Sequence, residues 1–203
     1  MKLLVATRNA GKVRELARLF AELEGVTLVG LDAFPELPEV VEDADTFEGN
    51  AIKKASELAR ASGLPTIADD SGIEVDALSG APGVHSARYA GEHGDDEANN
   101  AKLLRELEGV EDARRTARFR CALAFADPAG SLGDRVHVEH GVVEGAVLRA
   151  PRGEHGFGYD PLFLLRGDTR TTAELAPDEK NAISHRAEAA RRMLAFLRSY
   201  LSR

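Results

Sequence analysis

Apolar residues along the chain form two patterns, short runs and stripes that recur every three or four positions. The runs from Lys2 to Ala6 and from Val26 to Val29 predict strands, and residues 117–126 alternate as a strand does. Residues 136–147 predict another strand or a strand pair. Helical stripes predict helices from about Lys12, from Asp45 to Gly63, from Asp95 to Gly109 and from Pro177 to Leu201. Predicted strands and helices thus follow one another along the whole chain.

Asp69 and Asp70 lie between an apolar run and the alternating residues that begin at Ile73. This pattern predicts a strand, a tight turn at Ser71-Gly72 and a second strand, because glycine adopts backbone angles that other residues avoid. One carboxylate of such a pair suits Mg²⁺, which prefers carboxylates together with substrate phosphates. The other is able to position or deprotonate a water molecule. The alternative is a solvated Asp-Asp turn.

The loop from Thr7 to Lys12 joins the first predicted strand to the first predicted helix. A helix start after a short loop with a glycine favours anion binding, since backbone N–H groups and the helix dipole face the loop. Thr7 and Asn9 add hydrogen-bonding side chains, and Lys12 adds a positive charge. The alternative is an ordinary turn from strand to helix with a surface lysine.

A second polar pair, Asn50 and Lys54, lies four residues apart on the helix that Asp45 and Glu48 are expected to cap. Both side chains therefore share one side of this helix, where they are suited to face phosphates. A surface polar pair is the alternative.

Two further segments carry candidate binding residues. Residues 153–161 place glycines around Phe157 and Tyr159, and aromatic rings stack on nucleobases; a glycine-rich hairpin with a core aromatic is the alternative. The last predicted helix carries polar residues near its start, mostly off its apolar stripe, which suits either ligand recognition or a solvated face: Lys180, Ser184, His185 and Arg186.

Composition limits the classes of partner. The 203 residues carry a net charge of −8, which argues against a nucleic acid polymer but not against a small nucleotide. Apolar residues make up 43% and charged residues 30%, as in globular proteins, and no apolar run reaches the length of a membrane span. We expect no signal peptide, because the apolar run Leu3-Leu4-Val5-Ala6 after Met1-Lys2 is too short for one, and we therefore expect a cytoplasmic protein. Nor is a disulfide framework expected, since Cys121 is the single cysteine.

Taken together, these motifs resemble the inosine/xanthosine triphosphate pyrophosphatase family, which removes non-canonical purine nucleotides. The blocks that carry the resemblance span nearly the whole chain: residues 7–12, 46–51 with Lys54, 68–72, 80–84 with 86–89, 156–161, 179–180 and 183–186. The resemblance implies an α/β fold over residues 1–203, with an elongated mixed sheet flanked by helices. It also implies a single domain with two lobes around a central nucleotide-binding cleft, and a homodimer.

The resemblance also implies roles for individual residues. Asp70 would be the catalytic carboxylate, and Glu42 and Asp70 would bind Mg²⁺. Ser71 would touch the substrate, and Phe157 would stack on the base. The phosphate-binding residues would be Thr7, Arg8, Asn9, Ala10, Gly11, Lys12, Asn50 and Lys54. The base pocket would comprise Phe157, Gly158, Tyr159 and Asp160, with Lys180, His185 and Arg186 reading the base and its 6-oxo group.

Two positions depart from the family pattern. Gly49 stands where the family often has glutamate, and Glu42-Asp43-Ala44 stands where the family usually has Glu, then Thr or Asp, then Gly. The implied reaction is Mg²⁺-dependent hydrolysis of ITP, dITP or XTP to a nucleoside monophosphate and pyrophosphate. Two alternatives stay open: a pyrophosphatase of similar architecture that acts on pyrimidine triphosphates, and a nucleotide-binding regulatory module that does not hydrolyse.

Overall fold

A computed structural model describes residues 1–202 of the chain. This part of the chain contains six strands and five α-helices, joined by loops and short 3₁₀ turns. The strands are β1 (Lys2–Val5), β2 (Thr27–Gly30), β3 (Thr66–Val75), β4 (Thr116–Ala126), β5 (Val136–Val147) and β6 (Phe163–Leu165). The helices are α1 (Ala10–Leu19), α2 (Phe47–Ser62), α3 (Asp96–Glu106), α4 (Pro177–Ile183) and α5 (His185–Leu201).

All six strands belong to one mixed sheet with the order β2-β1-β3-β4-β5-β6. β1 pairs in parallel with β2 and with β3, whereas β5 and β6 are antiparallel. The predicted α/β fold with a mixed sheet and helices is therefore confirmed. Within residues 1–202, no helix combines the length and the hydropathy that crossing a membrane requires.

The chain divides into two compact units. The first contains Met1–Asp70, Cys121–Gly141 and the chain from Arg186 onward, and the second contains Ser71–Arg120 and Val142–His185. In the first unit, α1 and α5 pack on β1, β3 and β4 through apolar residues such as Leu3, Leu16, Phe125 and Met193. The second unit has its own core, which includes Ile73, Leu103, Phe119 and Phe163.

The turn predicted at Ser71-Gly72 is wrong, because β3 runs without interruption from Thr66 to Val75. Gly72 serves close packing instead. A Cβ atom at Gly72 would lie 2.2 Å from Ser86 Oγ and 2.7 Å from the carbonyl oxygen of Gly83. The Ser86 hydroxyl occupies this space and accepts a 3.0 Å hydrogen bond from the backbone N–H of Ile73.

The single long helix predicted after Pro177 is also wrong. Ser184 has extended backbone angles and separates α4 from α5. The side chain of Ile183, placed by its spacing on the apolar stripe, is 45% exposed, whereas Ser184, His185 and Arg186 are buried. The cap of α2 shifts by one residue, since the Thr46 hydroxyl rather than Asp45 accepts the N–H of Gly49, while the helix ends at Gly63 as predicted.

Candidate active site

Asp70 lies in β3 with its carboxylate buried and held by a neighbouring amide. The Nδ2 atom of Asn50 donates a 3.1 Å hydrogen bond to Asp70 Oδ2. The amide of Asn50 is itself oriented, because the backbone N–H of Ala44 donates to its Oδ1 atom at 2.9 Å. One oxygen of Asp70 is thus held in place by α2 and by the loop before it.

Lys54 lies one helical turn after Asn50 and links two carboxylates. Its Nζ atom is 2.8 Å from Glu42 Oε1 and 3.6 Å from Asp70 Oδ1. It also donates a 2.8 Å hydrogen bond to the backbone oxygen of Asp69. The predicted four-residue spacing therefore brings Asn50 and Lys54 to the same carboxylate, and Glu42 joins them from the preceding loop.

Burial raises the pKa of Asp70 above that of an ordinary aspartate. The charges of Lys54 and Lys12 and the bond from Asn50 oppose this rise in pKa, while the charge of Glu42 adds to it. A carboxyl that is partly desolvated and placed near cations is suited to take up a proton.

The pair formed by Glu42 and Asp70 fits a Mg²⁺ ion. Two carboxylates share one cationic group, the ammonium of Lys54, so the donor set and its charge suit a hard divalent cation. In residues 1–202 no group of three or more His, Cys, Asp or Glu side chains could hold a metal. Two protein carboxylates completed by phosphate oxygens and waters are the arrangement in which Mg²⁺ is usually bound.

The loop from Thr7 to Lys12 begins α1 as predicted. The Asn9 side chain caps this helix by accepting the backbone N–H of Lys12 at 3.1 Å, and the Thr7 hydroxyl accepts the N–H of Asn9 at 3.2 Å. Arg8, Asn9 and Ala10 are exposed, whereas Gly11 is buried. The loop thus presents a helix start and two polar side chains at the surface of the first unit.

Asp69, the neighbour of Asp70, is the centre of a buried charge network. Its carboxylate binds Lys12 Nζ at 2.5 Å and Arg186 Nε at 2.9 Å, and it accepts a 3.0 Å hydrogen bond from Cys121 Sγ. Arg186 also pairs with Glu15. Burial alone would raise the pKa of Asp69, but Arg186 and Lys12 outweigh it and hold that pKa well below its usual range.

The same charge network also shifts the pKa values of Lys12, Arg186 and Cys121. Burial lowers the pKa of Lys12, but the charge of Asp69 more than compensates, so the net pKa is raised. Arg186 behaves in the same way, its pKa raised by Asp69 and Glu15 against the effect of burial. Burial, with the charge of Asp69, holds the pKa of the Cys121 thiol well above its usual value. These groups stay charged, or neutral for the thiol, across the physiological range.

A second polar cluster, in the second unit, surrounds Asp160. The buried Asp160 carboxylate binds Lys180 Nζ at 2.5 Å, accepts the backbone N–H of Phe157 at 2.9 Å and accepts the Thr172 hydroxyl at 2.8 Å. Lys180 Nζ also lies 4.9 Å from the centre of the half-buried Phe157 ring. Gly156 is required here, since a Cβ atom there would lie 2.1 Å from Asp160 Oδ2.

Other predicted residues have different surroundings. Tyr159 is buried in the core of the second unit, and its hydroxyl donates a 2.9 Å hydrogen bond to the backbone oxygen of Ser86. The buried ring of His185 stacks on Phe119 at 4.9 Å between centroids. Ser71, the first residue of the second unit, is half-buried.

The prediction that Arg186 reads the base stays untested, and its contacts give it another role. All three nitrogen atoms of its buried guanidinium bind Asp69 or Glu15 in the first unit. Glu15 was not identified from the sequence, although its position beside the apolar stripe of α1 and three residues after Lys12 was a usable signal. Asp69 was predicted only as one of two adjacent candidate carboxylates and not as the centre of a buried charge network.

Comparisons with known proteins identify the family of the chain. The Ham1 family profile matches residues 3–196. The dITP/XTP pyrophosphatase of Geobacter sulfurreducens is 52% identical over 202 residues, covering 98% of this chain and 96% of the relative. The enzyme of that name from Geobacillus kaustophilus is 55% identical over 188 residues, covering 93% of this chain and 90% of the relative.

A solved structure has the same fold. That of a HAM1 protein from Coxiella burnetii superimposes with a TM-score of 0.86 at 40% identity, covering 98% of this chain and 99% of that one. A family profile that spans nearly the whole chain, relatives above 50% identity and a shared fold lead to one conclusion. The chain belongs to the Ham1 family.

Proposed function

We propose that the protein hydrolyses non-canonical purine nucleoside triphosphates, ITP, dITP and XTP, to the monophosphate and pyrophosphate. The observation that carries this proposal is the arrangement around Asp70, a buried carboxylate with one oxygen held by Asn50 and a lysine between it and Glu42. The relatives named dITP/XTP pyrophosphatase, about half identical over the whole chain, support the same reaction.

In this mechanism Asp70 accepts a proton from the attacking water. Asn50 holds Oδ2 of Asp70, so Oδ1 is the oxygen that takes the proton. Burial raises the pKa of Asp70 in the metal-free protein, and a Mg²⁺ ion on this carboxylate would act in the opposite direction by favouring its ionised form. Ala44 keeps the amide of Asn50 in the orientation that donates to Asp70.

Lys12 and Lys54 bind the triphosphate and neutralise the charge that builds up when the bond between the α- and β-phosphates breaks. Glu42 and Asp70 would hold a Mg²⁺ ion, which supplies further neutralisation and polarises the phosphate. Lys54 Nζ then exchanges part of its contact with these carboxylates for phosphate oxygens. The backbone N–H groups at the start of α1, with Thr7 and Asn9, bind the remaining phosphate oxygens.

The second unit recognises the base. Phe157 stacks on the purine, and Lys180 is a donor for an acceptor atom of the base such as the 6-oxo group. Adenine has an amino donor at that position, which would leave the protein donor unpaired. Unpaired polar groups in a binding site can give discrimination on the order of 10⁴.

Two alternatives give different results in solution. A pyrimidine triphosphate pyrophosphatase would turn over dTTP or UTP in preference to ITP, and a regulatory module would bind ITP without releasing pyrophosphate. A homodimer, a cytoplasmic location and a small nucleotide rather than a nucleic acid polymer as partner stay predictions. The homodimer rests on the resemblance, and the small nucleotide partner rests on the charge of −8.

The test is product identification. The purified protein is incubated with ITP and Mg²⁺, with a chelator in a parallel sample, and IMP, pyrophosphate and orthophosphate are measured separately. The proposal predicts equal amounts of IMP and pyrophosphate, and no turnover with the chelator. Orthophosphate with IDP, or binding without turnover, would contradict it.

A further inference from the structure

Two side chains of α3 hold the peptide groups of Gly158, next to Phe157. The backbone N–H of Gly158 donates a 2.6 Å hydrogen bond to Asp96 Oδ2. The Nδ2 atom of Asn100 donates a 2.8 Å hydrogen bond to the backbone oxygen of Gly158. Asp96 and Asn100 are four residues apart, so one face of α3 binds both polar groups of a single residue.

The amide of Asn100 has one defined orientation. Its Nδ2 atom also donates to the backbone oxygen of Asp96 at 2.8 Å, so it lies between two carbonyl oxygens and the opposite orientation would place oxygen against oxygen. The consequence is that Oδ1 of Asn100 is buried without a hydrogen-bond partner within residues 1–202. A buried acceptor left unpaired opposes folding. Stability of α3 therefore does not explain asparagine at this position, whereas its bond to Gly158 does.

The segment that contains Gly158 needs such support. Gly156 and Gly158 both have positive φ angles, +80° and +62°, and neither residue has a side chain that could restrict its own backbone. Asp160 holds the N–H of Phe157 from one side. Asp96 and Asn100 hold the next residue from a separate element, so the backbone on both sides of the Phe157 side chain is fixed.

We propose that Asp96 and Asn100 are positioning residues that set nucleobase selectivity by fixing the segment 156–160, on which Phe157 is carried. This inference rests on the proposed function, because it assigns a role in recognising the base of the same substrate. Neither residue touches the reacting phosphates in this proposal. Their loss therefore affects the part of binding that the base contributes and not the part that the phosphates contribute.

The test compares a ligand that has a base with one that lacks it. Kinetic constants for ITP and ATP are measured with Asn100→Ala and Asp96→Ala, together with the inhibition constant of inorganic tripolyphosphate. Affinities for ITP and for tripolyphosphate are also measured by calorimetry, so the positioning role is tested even if the protein does not turn over ITP. Failure of the wild-type protein to release pyrophosphate would contradict the proposed function alone.

Two variants serve as controls. Glu97→Ala removes an exposed carboxylate from the same first turn of α3 and therefore reproduces the loss of favourable charge at the helix start. Asp96→Asn keeps an oxygen that can accept the N–H of Gly158, so it should restore most of what Asp96→Ala loses. A melting temperature is measured for every variant.

For Asn100→Ala and Asp96→Ala we expect KM and the dissociation constant for ITP to rise about five- to tenfold, the change that corresponds to losing one hydrogen bond. The preference for ITP over ATP should fall, while kcat and the inhibition constant of tripolyphosphate stay within about twofold of the Glu97→Ala values. An unchanged affinity for ITP, or an equal loss of affinity for tripolyphosphate, would overturn the proposal.

Discussion

The Cβ atom of Ala44 lies 2.8 Å from the point that a Cβ atom would occupy on Gly49, closer than two such carbon atoms approach. These are the two positions at which the chain departs from the pattern of the family it resembles. The methyl group of Ala44 is accommodated because residue 49 has no side chain. The two departures are therefore one packing relationship, next to the backbone N–H that orients Asn50.

Alanine at position 49 should have opposite effects in two backgrounds. In the natural chain, Gly49→Ala forces the loop away from α2, and we expect a loss of about 1–3 kcal/mol of unfolding free energy. With Ala44→Gly present, the same substitution should stabilise by up to about 1 kcal/mol, because alanine favours the helix over glycine. The free energy of unfolding is measured with denaturant for wild type, Gly49→Ala, Ala44→Gly and the double variant. Equal effects of Gly49→Ala in both backgrounds would disprove the contact.

Asp69→Asn should destabilise the first unit strongly. It leaves Lys12 and Arg186 without their shared carboxylate in a buried site, and breaking a buried ion pair costs about 3–5 kcal/mol. Asp134→Asn is the matched control, because Asp134 forms an exposed pair with Arg60 that should contribute less than about 1 kcal/mol. Similar losses for the two variants in urea unfolding would contradict the role given to Asp69.

The effect of Asp69 should depend on pH in one direction. Its folded-state pKa is depressed, so its contribution is fully present above the ordinary aspartate pKa of about 3.9 and is lost as pH falls through the folded value. The difference in unfolding free energy between wild type and Asp69→Asn should be constant from neutral pH to about 4 and shrink below it. If the difference in unfolding free energy grows as the pH falls, the pKa of Asp69 is raised in the folded protein and not lowered.

Asp70→Asn should slow turnover strongly without weakening the fold. Loss of a general base lowers kcat by about 10²–10⁴. Because the folded-state pKa of Asp70 is raised, its ionised form costs stability once pH exceeds the ordinary aspartate value, and removing the charge relieves this. We expect the melting temperature at neutral pH to stay the same or rise. If this variant retains most of the wild-type kcat, the assignment of Asp70 as the catalytic base is wrong.

The Cys121 thiol should be inert in the folded protein. It is 2% exposed and donates to Asp69, and its pKa lies well above the usual value, so the reactive thiolate is scarce at pH 8. Labelling with a disulfide reagent should occur at the rate of unfolding in native buffer and within seconds in denaturant. Rapid labelling in native buffer would contradict the described burial.

The positions of strands and helices were predicted better than the points at which these elements continue or break. Apolar periodicity identified β1, α2 and β4, because periodicity reflects which face of an element is buried. It failed at Gly72, which Ser86 approaches closely from elsewhere in the chain, and at Ser184. Gly72 is in a strand because Ser86 packs on it, and Ser184 separates two helices that one continuous stripe predicted as a single helix.

Side-chain burial at the site was the hardest feature to predict. Lys180, His185 and Arg186 lie off the apolar stripe, which is typical of a solvated face, yet all three are buried. Their burial is stabilised by partners far away in the chain, Asp160, Phe119 and Asp69. Contacts between residues so far apart in the chain produce no periodic pattern in the sequence. Spacing therefore predicted that Asn50 and Lys54 share a face, but not that Lys180, His185 and Arg186 are buried.

The most direct test of the proposed function is a parallel incubation of ITP, ATP, GTP and dTTP with the purified protein and Mg²⁺, with pyrophosphate and orthophosphate measured separately. We predict pyrophosphate from ITP at a rate far above that from the other three nucleotides. Equal turnover of all four, or release of orthophosphate, would contradict the assignment of this protein as a pyrophosphatase for non-canonical purine nucleotides.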